Sequence, residues 1–233
     1  LFFAAPFSVT AEKSQPKQVR MIAIDEAKGV SVAERMLTYI YAKIDYKIDI
    51  VRMPAKRAER ESRQGNLDGE LLRVKDFAKH KPLLLRVPTP VSSIDIQAFS
   101  HRDSKVLIEN INSLSNYTLA YTRGRKYADP FKNIAKQDHA LTSIKSLMQF
   151  IHLRRADIAI VDRFTALVAL KTLKINDVEA VGPILEKRYV YHFLHKKHEK
   201  LVGLLNEVLI EMQQSGELEQ LKKILEAEYL ASL

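Results

Sequence analysis

Two rhythms of apolar and polar positions run along the chain. Val19-Arg20-Met21-Ile22-Ala23-Ile24 is a short β-type run that stops at Asp25-Glu26 and the turn residue Gly29. From Ala33 the rhythm lengthens: Ala33, Met36, Leu37, Ile40, Tyr41 and Ile44 recur on one helical face, with Ser31 placed to cap it and Glu34 three residues on. Tyr46 to Met53 predicts a second strand, ended by Pro54. Ala55 to Gln64 predicts a short charged helix closed by Gly65-Asn66, and Asp68-Gly69 a turn. Leu71 to Val74, Leu83 to Val87 and Ile94 to Phe99 are further strand candidates. The order β-α-β-α-β argues for an α/β sheet with crossover helices.

The same order restarts near Arg102. Leu107 to Leu114 predicts a helix or turn, Tyr117 to Tyr121 a strand, and Arg123-Gly124 a turn into a helix started by Tyr127 and Phe131. Ser143 caps a run with Ile144, Leu147, Met148 and Ile151 on one face, and Ala156 to Val161 is a buried-strand pattern ending at Asp162. A helix from Phe164 to Leu173 and a strand from Val178 to Val181 complete the set. After Tyr189 to Leu194 the tail is helical, with one stripe from Leu201 to Met212 and another from Leu218 to Leu225, separated by Gly216. Two α/β units in series with a helical tail predict two lobes.

Composition narrows the chemistry. The 233 residues are 46% hydrophobic and 28% charged, enough for two lobes of about 100 residues and too apolar for intrinsic disorder. No cysteine is present, which excludes a disulfide scaffold, a thiolate zinc site and a cysteine nucleophile. Seven glycines supply neither GxxxxGK[ST] nor GxGxxG, the usual phosphate-cradling loops. The net charge of +9 raises nucleic acid, anionic lipid or an anionic small molecule as partner. Divided along the chain it is +5 over residues 12–101, +5 over 102–184 and −1 over 185–233. Acids are interleaved throughout, as in Lys56-Arg57-Ala58-Glu59-Arg60-Glu61, so no basic helix or tail offers itself to nucleic acid.

Leu1 to Ala11 is apolar and uncharged before the switch to Glu12-Lys13. This resembles the end of a secretory signal peptide, with Val9 and Ala11 at its −3 and −1 positions, and it predicts a mature chain beginning at Glu12 and exported to the periplasm. The alternative is an N-terminal strand. No later stretch approaches ~18 uninterrupted apolar residues.

Several strings, in this order, resemble the family 3 extracellular solute-binding proteins. They are Pro54-Ala55-Lys56-Arg57-Ala58, Gly65 to Glu70, Arg154 to Asp162, and Leu204 to Gly216 before Leu221 and Tyr229. The resemblance covers nearly all of residues 18–230. It implies the type II periplasmic binding protein fold, α/β with two lobes, each a mixed β-sheet flanked by helices, joined by two hinge strands. Residues 12–98 plus 190–233 would form lobe 1 and residues 99–189 lobe 2, with crossings at Ile94 to His101 and Glu186 to Leu194. It also implies a small polar solute, anionic or zwitterionic and amino-acid-like, a membrane ABC permease as partner, a monomer, and no cofactor, metal or nucleic acid. A sensory module, or a lyase or dehydratase using the same cleft, is the alternative. One departure stands out. Amino-acid-binding members carry Thr-x-x-Arg about ten residues after the Asp-Gly turn, and here that stretch is Phe77-Ala78-Lys79-His80-Lys81-Pro82.

Ligands of open α/β sheets sit beyond the carboxyl ends of the strands, which selects Asp25, Glu26, Glu70, Arg73, Arg123 and Asp162. Arg73, inside an apolar run, offers a bidentate fork to a carboxylate or phosphate; the alternative is a pair with Glu70 or Asp68. Glu70 either holds Arg73 or accepts a cationic group. Arg123-Gly124 and Tyr127 resemble the family's loop into a helix N-terminus, where free amides favour an anion. Asp162 matches the position of the carboxylate that meets a ligand ammonium, or else caps the helix from Phe164. Arg57 belongs to a helix start or the cleft rim. His192, His195 and His198 recur every three residues, but no carboxylate completes a metal tetrahedron around them. No nucleophile elbow or HExxH is present, which leaves Glu70 or Asp162 as acid or base in an enzymatic reading.

Overall fold

The computed structural model describes residues 17–24 and 32–233. Asp25, Glu26, the Ser31 cap and the leader reading of residues 1–11 lie outside the described residues. The first unit runs β1 (Lys17–Ile24), α1 (Val32–Ala42), β2 (Tyr46–Met53), α2 (Ala55–Gln64), β3 (Gly69–Val74) and β4 (Leu84–Arg86). A long strand, β5 (Ser92–His101), leads to β6 (Thr118–Thr122), α3 (Asp129–Lys132), β7 (Gln137–Leu141), α4 (Ile144–His152), β8 (Ile158–Asp162) and α5 (Arg163–Leu173). A second long strand, β9 (Val178–His195), returns to α6 (Glu199–Gln214) and α7 (Glu217–Ala231).

The strands join in the order β2-β1-β3-β9-β5-β8-β6-β7, with β4 on β9. Within each unit the strands linked by helices are parallel, as crossover connections require. β5 and β9 pair antiparallel from Ser92↔Val190 to His101↔Val178 and belong to both units.

Each unit has its own apolar interior. In the first, Val19 and Met21 of β1, Met36, Leu37, Ile40 and Tyr41 of α1, and Leu201, Leu205 and Leu209 of α6 pack with Leu218 and Leu225 of α7. In the second, the sheet is covered on both faces. Phe99 and Val161 lie under α4 and α5, while Ile96, Ile158 and Ile160 lie under Ile108, Leu114 and Phe131. Burial on both faces explains why β8 reads as a continuous apolar run.

Some elements depart from the sequence expectation. β7, Gln-Asp-His-Ala-Leu, carries no alternation; it is an edge strand that pairs with β6. Val178 to Val181 and Tyr189 to Leu194 are parts of one strand, not two. Gly182-Pro183 reads as a break, yet the chain absorbs it by register shifts against β5, with Gly182 at φ +68° and its carbonyl accepting from the Gln97 amide. The helix expected from Tyr127 is a single four-residue turn, α3.

Candidate functional site

β3 and β4 both run antiparallel to β9, so their carboxyl ends point the same way. Arg73 lies opposite Tyr191 and Arg86 opposite Phe193. The second unit presents the ends of parallel β6 and β8, at Thr122 and Asp162, and Asp162 lies opposite Ile96 of β5. Between these ends run β5 and β9, where Val190 pairs with Val74 on one side and Ser92 on the other. Gly69 permits this on the first side, because a Cβ there would sit 2.1 Å from the Phe193 carbonyl oxygen.

On the first side Arg73 Nη2 donates to Glu70 Oε2 at 2.7 Å, and Nη1 to the Leu72 carbonyl. The guanidinium stacks 5.1 Å from the Phe77 ring, which is edge-on to Phe193. The Glu70 carboxylate is 0% exposed, and Arg73 retains 18%. Burial pushes the Glu70 carboxyl up; Arg73, the Ser62 hydroxyl and Lys81 pull it back without cancelling the rise. Ser62 Oγ, Glu70 Oε1 and Arg73 Nε are buried without a hydrogen bond of ordinary geometry. Glu70 is thus paired with Arg73 through Oε2, the first of its two expected roles. Arg57 lies in the first turn of α2, 64% exposed and 3.9 Å from Glu61 one turn on.

Sequence reasoning missed a neighbour of equal standing. Arg86 ends β4 with its guanidinium 4.6 Å from the Tyr191 ring centroid, and among the described residues no carboxylate pairs with it. A signal existed, since Arg86 interrupts Leu83 to Val87 as Arg73 interrupts Leu71 to Val74.

On the second side Asp162 caps α5: its Oδ2 accepts from Thr165 N at 3.0 Å and from the Thr165 hydroxyl. Tyr127 is half-buried, and its hydroxyl pKa is raised, first by burial, with Arg125, Asp162 and Arg188 acting on it electrostatically. Arg188 of β9 is held by a two-point contact with Glu186, Nε to Oε1 at 2.7 Å and Nη2 to Oε2 at 3.3 Å. Arg188, Glu186 and Arg125 were not among the sequence candidates, because what they face depends on β5, whose Ile96 pairs with Glu186 on one side and Asp162 on the other. After Arg123-Gly124 the chain makes a single 3-10 turn, Lys126–Ala128, before the four-residue α3. The backbone N–H groups of Arg123, Arg125 and Ala128 already donate to Leu141, Thr122 and Arg125 carbonyls. Gly124 supplies the turn at φ +79°, and Arg123 and Arg125 are exposed.

The histidines do not converge. His192 is buried, its Nδ1–H donating to the Leu71 carbonyl at 2.8 Å and its Nε2 accepting from the Tyr41 hydroxyl at 2.7 Å. His195 Nδ1 accepts from the Lys197 backbone, and His198 meets Asp68. Two hollows lie away from the strand ends. One of about 240 Å³ is bounded by Pro90, Ser93 and Lys222, and one of about 410 Å³ by Leu141, Phe150 and His152.

Among known structures, the L-cystine solute receptor of Neisseria gonorrhoeae in its unliganded open conformation superposes with a TM-score of 0.73 at 16% identity, over 90% of this chain and 93% of the receptor. The chain has the type II periplasmic binding protein fold. Substrate-binding domain 2 of GlnP from Lactococcus lactis, also open, shares this fold at a TM-score of 0.69 and 15% identity, over 91% and 95% of the two chains. A histidine kinase sensor domain with similarity to periplasmic binding proteins superposes with a TM-score of 0.60 at 10% identity, over 90% and 96% of the two chains. In sequence the chain is 26% identical over 208 residues to an uncharacterized protein of Shewanella oneidensis, covering 84% of this chain and 76% of that protein. No family model matches. No helix among the described residues is long and apolar enough to cross a membrane.

Proposed function

We propose that this chain is an extracytoplasmic solute-binding protein that closes two lobes on a small polar solute and passes it to a membrane ABC permease. The observation that carries this reading is the convergence of strand carboxyl ends from both units beside β5 and β9, each bearing polar candidates. Lobe 1 contributes Arg73, and lobe 2 contributes Asp162, Tyr127 and the Arg123-Gly124 loop. Closure is favoured because only the closed state lets one solute meet both sets. The receptor and binding-domain likenesses support binding as the role and an extracytoplasmic place for it.

A lyase in this cleft has less support. Glu70 is buried against Arg73 and Asp162 is engaged in capping, so neither carboxylate is poised as a free acid or base. A sensory role is kept as the second reading by the histidine kinase sensor likeness. A thermal-shift screen of amino acids, dicarboxylates and sugars, with a turnover assay on every hit, tests the proposal. We expect a stabilising solute that is recovered unchanged; a hit that is transformed would replace the binding reading with the enzymatic one.

A further inference from the structure

Resting on that cleft reading, we infer that the solute is a small organic dianion and that Arg86, stacked on Tyr191, is its anchor on lobe 1. The inference follows from which charges around the cleft are already answered. Glu70 is fully buried and paired with Arg73. Glu186 is paired with Arg188 at the crossing. Asp162 spends one oxygen on the Thr165 amide and hydroxyl. Among the described residues, Glu70 and Glu186 are thus committed within the protein and Asp162 keeps one oxygen free.

The arginines are not all committed. Arg86 has the Tyr191 ring and, among the described residues, no carboxylate. Arg123 and Arg125 stand exposed on the opposite lobe, likewise without a carboxylate among the described residues. A guanidinium lying on an aromatic face keeps its N–H edge free, in the planar fork that matches a carboxylate or phosphate. Tyr191 also restricts the rotamers of Arg86, which reduces the ordering cost of binding. Arg73 sits beside it, but with its charge neutralised by Glu70 it orients the site more than it attracts.

Closing the lobes brings Arg86 toward Arg123 and Arg125, which is unfavourable without negative charge between them. A solute with two anionic groups supplies that charge at both walls. A zwitterion supplies it at one wall and an ammonium at the other, where cations are already in excess.

The test is calorimetry and thermal shift on the full chain with malonate, succinate and glutarate against glutamine and arginine, at low and high salt. Dianions should bind, more weakly as salt rises. Arg86→Gln should weaken them by about 10- to 100-fold, the range expected for loss of a charge-assisted pair, while the unliganded melting temperature stays within a few degrees of wild type. Arg86→Lys, which keeps the charge and loses the fork, should fall between; it also serves should Arg86→Gln fold poorly. Binding of glutamine or arginine in preference to dianions, or unchanged dianion affinity in folded Arg86→Gln and Arg86→Lys, would overturn the inference and leave the solute-binding reading standing. If no member of the panel shifts a well-folded protein, both fall together.

Discussion

At the scale of single residues, His192 shows how burial decides chemistry. Its imidazole, packed edge-on to Tyr41 at 5.6 Å between centroids, has both nitrogens satisfied in the neutral form. Burial pushes its pKa from 6.5 down to about 4, only partly offset by the Leu71 and Glu70 backbone. A base with a depressed folded-state pKa takes up its proton in the unfolded chain first. The stability associated with neutral His192 is therefore complete above pH 6.5 and is lost as pH falls through about 4, a change of about 3 kcal/mol. Urea unfolding at pH 7.5 and pH 4.5 should show this loss, and His192→Gln should flatten the slope in that window. Asp68 acts lower. Burial alone would raise its pKa, but hydrogen bonds from Lys197, the Arg20 backbone N–H and His198 hold it at about 2, so its contribution is lost between 3.8 and about 2. Sequence spacing drew these histidines together as a possible metal set, whereas each is spent on a local partner that only the packed chain reveals.

At the scale of elements, α7 bridges regions that sequence places far apart. Lys222, 8% exposed, donates to the Ser93 carbonyl and to Asp95 Oδ2 at 3.0 Å, so the helix is fastened to the first residues of the crossing strand β5. Further along α7, Tyr229 meets Phe164 of α5 edge-on at 5.7 Å. That ring pair joins a helix packed on the first core to a helix of the second. A double-mutant cycle of Phe164→Ala and Tyr229→Ala should return a coupling of about 1 kcal/mol, the usual worth of an edge-on aromatic pair beyond its burial. A coupling near zero in both denaturant and thermal unfolding would mean the helices touch without holding. Neither contact was legible beforehand, since the tail stripes announce helices and leave open which faces meet. The strands read well where burial on both faces demanded apolar runs, as in β8. They read poorly where an edge strand was polar, as in β7, or where Gly-Pro disguised one bulged strand as two, as in β9.

For the whole molecule, the two apolar interiors are joined through the paired strands β5 and β9, and the proposed closure would leave both interiors as they are. A solute gripped by both lobes adds its binding energy to the folded state. At one hundred times its dissociation constant it should raise the unfolding free energy by about 2.7 kcal/mol. The far-UV circular dichroism and tyrosine signals should then move together; a solute that shifted one lobe's transition alone would argue that it does not bridge the cleft. The sequence by itself determined the α/β class, the repeat of two units, and the strand ends where polar groups gather, because periodicity and turn chemistry are local properties. Tertiary structure decided which charges remain available. Arg73 met Glu70 and Asp162 turned to its own helix, each three residues away and each an alternative the sequence had left open, whereas Arg86 came to rest on Tyr191 through the pairing of β4 with β9, more than 100 residues apart in sequence, which no local pattern encodes.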